Sequence, residues 1–484
     1  MARQACDECR RRKLRCDGQQ PQCSVCRETE TRCQVTTQRG VRGPKRGHLK
    51  ALKERLGHLE ALLEGNTDVE STSTSSTATA TEGIPSALPL TNLIQAELDQ
   101  LYLDRVHPSI PILHQRRYLA WSRSNNGKTP SRRCLQYAMW TLAALLSAQF
   151  RELIEPLYRE TKQMLEYLSQ DSNETDSREL AQAWVLVVVF ESMRTYHRKA
   201  WMSAGQAFRL VQAMRYHEID KIDKKGETTD DIEVEERRRV FWMAYFLDHL
   251  ISIRDDWPIT LNEHIICTRL PAPDEVFQSG RHDPGPFLSE AMTEKSLTVR
   301  SAFNECLILA TICGRGLLQS QQYHISKAYG DITPDCEVQR QWLDGLLMNR
   351  LEIMHSYPSP NEIYDPLLLF ANILGQATVV YFCKTRSAQT DHRALEASTN
   401  IIRLAATLQD LPFSKIHPLM PLPLFLTAEF LYEHMQEEPF QRRIQELFYI
   451  FRELRNVNNH EQSYLDLLPK SCISKTVDLF TAVE

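Results

Sequence analysis

The stretch ACDECRRRKLRCDGQQPQCSVCRETETRC, residues 5–33, places six cysteines at positions 6, 9, 16, 23, 26 and 33. The spacing is C-x2-C-x6-C-x6-C-x2-C-x6-C. Each half carries a C-x2-C pair, which lets two thiolates grip one metal ion. Four thiolates satisfy one tetrahedral zinc, so six fall two short of two zincs unless two sulfurs each serve both metals. Six thiolates and two Zn2+ leave a net charge of about −2, which the arginines and lysine between the ligands offset. So short a segment buries too little surface to fold alone, and metal binding supplies the missing free energy. The expectation is a metal-folded domain over residues 1–36 holding two Zn2+ per chain on Cys6, Cys9, Cys16, Cys23, Cys26 and Cys33.

The rest of the 484-residue chain sets the context. Hydrophobic residues make up 42% of it, enough for a sizeable core. The N-terminus is polar and basic without the apolar run of a secretory leader. Ala183 to Phe190, the richest apolar run, is too short to span a bilayer. An intracellular chain with no membrane partner is expected. Its thiols stay reduced, so clustered cysteines favour metal over disulfides. The other seven cysteines, at 134, 267, 306, 313, 336, 383 and 472, read as small buried hydrophobes. Charge is unevenly divided: residues 1–56 carry 15 Lys+Arg and 6 Asp+Glu, or +9, which leaves −14 for the remainder of a chain whose net charge is −5. A basic head on an acidic body points to a polyanion partner for the head.

With all six cysteines in place, the basic run after Cys9, Asp17-Gly18 after the third cysteine and Pro21 before the fourth, the stretch resembles the fungal zinc binuclear cluster (C6 zinc cluster) regulators. The resemblance implies that one zinc takes Cys6, Cys9, Cys16 and Cys23, and the other Cys6, Cys23, Cys26 and Cys33. Cys6 and Cys23 would then bridge. It also implies that Lys13 reads a CGG triplet, with Arg12 assisting. A short helix fits the major groove, and Lys and Arg donate well to guanine O6 and N7. Arg10, Arg11 and Arg15 are expected on phosphates. The same basic run can double as a nuclear localisation signal, and the implied location is the nucleus.

A linker follows, residues 37–48, whose glycines and proline argue against a regular element. Its Arg42, Lys45 and Arg46 can track the phosphate backbone. Over residues 49–64, Leu49, Leu52, Leu56, Leu59 and Leu63 fall at a-d-a-d-a of a heptad pattern. With Leu49 at a, Arg55 sits at g and Glu60 at e, so they can pair between parallel helices. A short coiled-coil dimerisation helix, and thus a homodimer, is expected, and the resembled family places one here. Residues 65–91 turn to Ser and Thr, a composition that builds no core and reads as a disordered tether.

From residue 92 to 484 helical periodicity dominates. Phe208, Val211 and Met214 recur at three-residue steps, and Trp242, Phe246, Leu250 and Ile253 share a face. The fold class expected is mostly α: a zinc cluster, a short helix, a tether and a large all-helical domain. HPSIPILHQRRYLAW (107–121), AWMSAGQAFRLVQAMRYH (200–217), EVEERRRVFWMAYFLDHLIS (233–252) and LPAPDEVF (270–277) resemble the middle homology regulatory domain of fungal transcription factors. That family often has Gly-Arg-Pro after the third of these segments, where this chain reads Ile253-Arg254-Asp255-Asp256-Trp257-Pro258. Arg237, Arg238 and Arg239 are expected on a solvated or ion-paired face, through the i,i+4 pairs Glu233–Arg237 and Glu235–Arg239.

No catalytic motif stands out, His249 and His264 read as structural, and no enzyme is expected. The sequence therefore supports a DNA-binding regulator of RNA polymerase II genes that recruits the transcription machinery. The resemblance adds a small-molecule effector for the body and, for chains of this layout, control of a secondary-metabolite gene cluster. The competing reading is a zinc-dependent interaction protein or co-regulator that binds DNA non-specifically.

Overall fold

The computed structural model describes residues 5–19, 21–29, 31–34, 88, 90–123, 128–170, 177–221, 230–281, 283–293, 299, 301–330, 335–355, 365–384, 392–410, 416–434, 436 and 438–457. The linker, the leucine heptads and the Ser/Thr tether as far as residue 87 lie outside these. The chain divides into two compact units, residues 1–81 and 82–484. Among the described residues the secondary structure is helical, with no strand.

The first unit contains α1 (Asp7–Arg12) and α2 (Ser24–Glu28). Its interior is made of sulfur: Cys6, Cys9, Cys23 and Cys26 are each at most 1% exposed, with Cys16, Val25 and Cys33 packed around them.

The second unit runs α3 (Asn92–Arg105), α4 (Gln115–Ser122), α5 (Pro130–Leu145), α6 (Ile154–Leu168), α7 (Arg178–Met193), α8 (His197–Ala213) and α9 (Asp231–Arg254). The short α10 (Asp274–Gln278) and α11 (Leu288–Thr293) lead into α12 (Ala302–Tyr329), α13 (Asp335–His355), α14 (Pro366–Lys384), α15 (His392–Ala406), α16 (Pro421–Glu433) and α17 (Glu438–Val457). Local chemistry fixes several starts. Thr129 caps α5 by accepting from the Arg132 amide at 3.2 Å, with Pro130 in the first turn, and Asp230 caps α9 by accepting from Ile232 at 3.0 Å. α5 packs on α3, α6 and α7, α8 on α7, and α9 on α8 and α12. α14 then packs on α12, α15 and α16, so α9 and α12 join the two halves of one continuous core.

The middle of this body is apolar on all sides of its helices rather than on one stripe. In α9 every residue from Arg238 to Ile253 is buried, so Trp242, Phe246, Leu250 and Ile253 belong to a helix enclosed all round. Phe208 and Val211 are buried, and Met214 is partly so. α14 is the one described helix long and apolar enough to cross a membrane, a longer apolar element than Ala183–Phe190; it is enclosed by its neighbours, with Leu369 to Cys383 supplying core. Of the scattered cysteines, Cys134, Cys306, Cys313 and Cys383 are buried as expected, whereas Cys267 is exposed in the loop after α9. The side chains of Cys336 and Cys472 lie outside the described residues.

The triple arginine of α9 is ion-paired as expected, but two of its three members are buried rather than solvated. Both expected pairs form, Arg237 with Glu233 at 2.6 Å and Arg239 with Glu235 at 3.2 Å. Only Arg237 stands at the surface; Arg238 and Arg239 are among the largest fully buried side chains. Arg239 donates to the carbonyls of Pro111 (2.8 Å) and Ala272 (2.7 Å), pairs with Asp274 (2.9 Å), and lies 4.2 Å from the Phe277 ring centroid. Arg238 pairs with Glu235 and Asp220. Glu236 accepts from the His114 amide at 3.0 Å. The segments 107–121, 233–252 and 270–277 are thereby tied into one buried knot.

After α9, Asp256 is left-handed (φ 51°), and the Trp257 amide closes the helix by donating to the Ser252 carbonyl at 2.9 Å. Asp256 also accepts from the Tyr381 hydroxyl at 3.1 Å. His249 is buried, its ring tilted against Tyr245 at a centroid distance of 4.0 Å, and His264 is exposed.

Candidate metal centre and nucleic-acid interface

The six cysteines of the first unit converge as two overlapping tetrads. In each of Cys6, Cys9, Cys16, Cys23 and Cys6, Cys23, Cys26, Cys33, all sulfurs lie within 4.8 Å of one another. Cys6 and Cys23 belong to both. The shorter separations are 3.7 Å for Cys6–Cys23, 3.6 Å for Cys6–Cys26 and 3.6 Å for Cys9–Cys23. A tetrahedral zinc with sulfur at about 2.3 Å requires sulfurs roughly 3.8 Å apart, whereas a disulfide requires about 2.05 Å. The cysteines are free thiols at metal-binding separation. The all-sulfur donor set, with no histidine or carboxylate, suits zinc.

The two shared sulfurs differ electrostatically from Cys9 and Cys26. A backbone hydrogen bond from Cys9 pulls the Cys6 thiol down to about 6, and one from Cys26 lowers Cys23 in the same way. Burial instead raises Cys9, and pushes Cys26 up to about 12. Amides three residues along each C-x2-C thus favour charge on the sulfurs common to both tetrads.

The halves repeat at an offset of 17 residues. The Leu14 amide donates to the Cys9 carbonyl at 2.9 Å, and Thr31 to Cys26 at 3.0 Å, the same six-to-one closure of a short helix. The amide of Asp7 is held by the Gln34 carbonyl at 2.9 Å, and that of Ser24 by the Asp17 carboxylate at 3.2 Å. Gly18 takes φ 67° in the turn between the halves. Ser24 also donates through its hydroxyl to Asp17, which holds that carboxyl below its usual range.

The basic run lies on α1 and its end. Arg11, Arg12, Lys13 and Arg15 are exposed. Arg10 lies on α1 between Cys9 and Arg11. Lys13 occupies the left-handed position that terminates the helix, φ 57°, with the Leu14 closure behind it. A non-glycine residue there costs roughly 1 kcal/mol, so its direction is imposed by the cysteines on either side. Glu8, in the first turn, faces two of these cations. It accepts from Arg11 at 2.7 and 3.1 Å and pairs with Arg12 Nε at 2.6 Å. Sequence inspection overlooked this, though its i,i+3 and i,i+4 spacing was visible. Arg42, Lys45 and Arg46, and the five heptad leucines, lie outside the described residues.

A buried thiolate double site with an exposed cationic helix end defines a class, and comparison with protein families fixes it. Residues 4–42 match the fungal Zn(2)-Cys(6) binuclear cluster domain, and residues 100–409 the fungal specific transcription factor domain. The chain belongs to the fungal zinc binuclear cluster transcription factors, DNA-binding regulators whose cluster carries two zinc ions on six cysteines. It is 49% identical to a citrinin biosynthesis transcriptional activator of Monascus purpureus, over 98% of this chain and 94% of that one. It is 40% identical to a pigment biosynthesis transcriptional activator of Monascus ruber, over 96% and 93% of the two chains. An ascochitine biosynthesis cluster transcriptional regulator of Didymella fabae is 43% identical, over 81% and 77%. No solved structure matches the chain.

Proposed function

We propose that this protein is a nuclear, pathway-specific activator that binds CGG-type triplets as a homodimer and switches on a secondary-metabolite biosynthetic gene cluster. Cys6, Cys9, Cys16 and Cys23 hold one zinc, and Cys6, Cys23, Cys26 and Cys33 the other. Lys13 contacts the bases with Arg12 beside it. Arg10, Arg15, Arg42, Lys45 and Arg46 contact phosphates, with Arg11 beside them on α1. Leu49, Leu52, Leu56, Leu59 and Leu63 form the dimer seam, and residues 92–484 form the regulatory body.

The observation that carries this is Lys13, exposed at the left-handed end of a helix whose two flanking cysteines are zinc ligands. A donor whose backbone is fixed between two metal ligands starts from a defined point, as base-edge recognition needs; a cation on a loose segment serves phosphate equally well. The activating role and the kind of target follow the names of the curated relatives.

The test is selection from random duplex DNA by the zinc-loaded full chain at two salt concentrations, read by sequencing. CGG triplets enriched at a fixed spacing, and still enriched at the higher salt, are expected. General binding that collapses with salt and enriches no sequence would instead identify a zinc-dependent interaction protein. Deleting the gene is expected to silence a contiguous set of biosynthetic genes; unchanged transcripts would remove the pathway assignment.

A further inference from the structure

We infer that Glu8 is a positioning residue for DNA recognition, sorting the basic run of α1 into one arginine held back and one arginine aimed outward. The inference rests on the proposal that this unit selects duplex DNA. Glu8 lies between Arg11 and Arg12, one turn along from it, and its side chain is only 20% exposed against 72% for Arg11 and 41% for Arg12. Arg11 spends one whole edge of its guanidinium on Glu8, donating Nε to Oε2 at 3.1 Å and Nη2 to Oε1 at 2.7 Å. Arg12 makes its closest approach to the same carboxylate through Nε, 2.6 Å from Oε1. The two pairings are therefore unequal. Arg11 is engaged in the two-point geometry it would need for a phosphate, while Arg12, the neighbour of Lys13 in the chain, is drawn to Glu8 at Nε.

An ordinary exposed ion pair has little consequence, because water and salt screen it. Here one carboxylate, 20% exposed, engages two guanidiniums of the run that meets the polyanion. Each arginine released to a phosphate adds about 0.9 to the slope of log affinity against log salt. Glu8 thus withholds one non-specific contact and steadies a contact beside the base reader. Both effects widen the gap between selective and general binding.

The experiment compares the full chain with Glu8→Gln and Glu8→Asp. Binding is measured from about 50 to 200 mM salt, on a duplex carrying the enriched CGG triplets and on one with those triplets scrambled. Glu8→Gln removes the charge, and Glu8→Asp keeps it but is too short to bridge both arginines. Both variants are expected to retain two zincs and to lose several-fold in the ratio of selective to scrambled affinity. In Glu8→Gln the scrambled duplex is also expected to bind more tightly, with a slope steeper by about 0.9. Unchanged ratios, or a change in Glu8→Gln with Glu8→Asp like the wild type, would overturn positioning in favour of a plain charge effect. Zinc loss in both variants would overturn it in favour of a structural role. A wild-type chain that selects no sequence would sink the underlying DNA reading, a failure distinct from normal selection with insensitive Glu8 variants.

Discussion

At the scale of single residues, the six cysteines are unequal because two belong to both tetrads. Cys23→Ala removes a sulfur from each metal site, and the expected result by native mass spectrometry is loss of both zincs. Cys33→Ala touches one tetrad and is expected to retain one zinc. A stable one-zinc Cys23→Ala unit would refute sharing. Lys13→Ala is expected to abolish selection of CGG duplexes while zinc stays at two per chain; selection that survives would take Lys13 out of its role. These residues were the most legible part of the sequence, because metal chemistry constrains spacing directly. Glu8 was missed because attention went to the cations themselves, although an acidic residue three and four positions before two arginines carries the same helical spacing used for Glu233 and Arg237.

At the scale of elements, the helices were legible in kind and less so in surroundings. Periodicity announced α9, but a helix buried from Arg238 to Ile253 has no polar stripe over that span for a period to expose. Arginines are almost never fully buried unless paired, and the partners that bury Arg238 and Arg239 include Asp220, Asp274 and two carbonyls far along the chain. Removing Arg239 leaves the Pro111 and Ala272 carbonyls without this donor and Glu235 with Arg238 alone. Arg239→Ala is expected to destabilise the body by about 3–5 kcal/mol in denaturant unfolding; a loss under about 1 kcal/mol, the range of exposed pairs, would show the network to be dispensable.

Helix crossings carry a second element-scale constraint. A Cβ at Gly316 of α12 would sit 2.1 Å from Phe382 Cε1 of α14, so the two backbones approach there because no side chain intervenes. Gly316→Ala is expected to lower stability by about 1–3 kcal/mol despite its gain in helix propensity. A melting temperature equal to or above the wild type would show that Phe382 moves aside freely.

At the scale of the whole molecule, histidines buried as neutral groups set its response to acid. Burial depresses His107 and His249 to about 4, and His197 and His417 to about 3. An unfolded histidine titrates near 6.5. The folded values are lower, so their contribution is present above about pH 6.5 and is lost as pH falls towards 4. Each group removes up to about 1.4 kcal/mol per pH unit well inside that window. Asp248, raised to about 6 by burial, works the other way: it destabilises the fold when ionised, and that penalty is relieved below pH 6. His114 is also lowered, and Asp99, Glu236 and Glu429 are raised by burial like Asp248. With the histidines the larger group, stability measured by denaturant is expected to fall from pH 7 to pH 5. A flat profile would mean that the histidines are hydrated in solution. None of this was readable beforehand, since a histidine's value depends on what encloses it.

The knot around Arg239 also bears on how the chain is made. Its partners are separated by 128 residues towards the N-terminus, at Pro111, and by 35 towards the C-terminus, at Asp274. Synthesis runs at about 5–20 residues per second, so the ribosome delivers α9 seconds before the segment that completes the shell of Arg239. Arg238 finds Glu235 and Asp220 already made, whereas Arg239 waits for the Ala272 carbonyl and Asp274. A nascent chain halted between α9 and α10 therefore holds one of its two buried arginines half-coordinated.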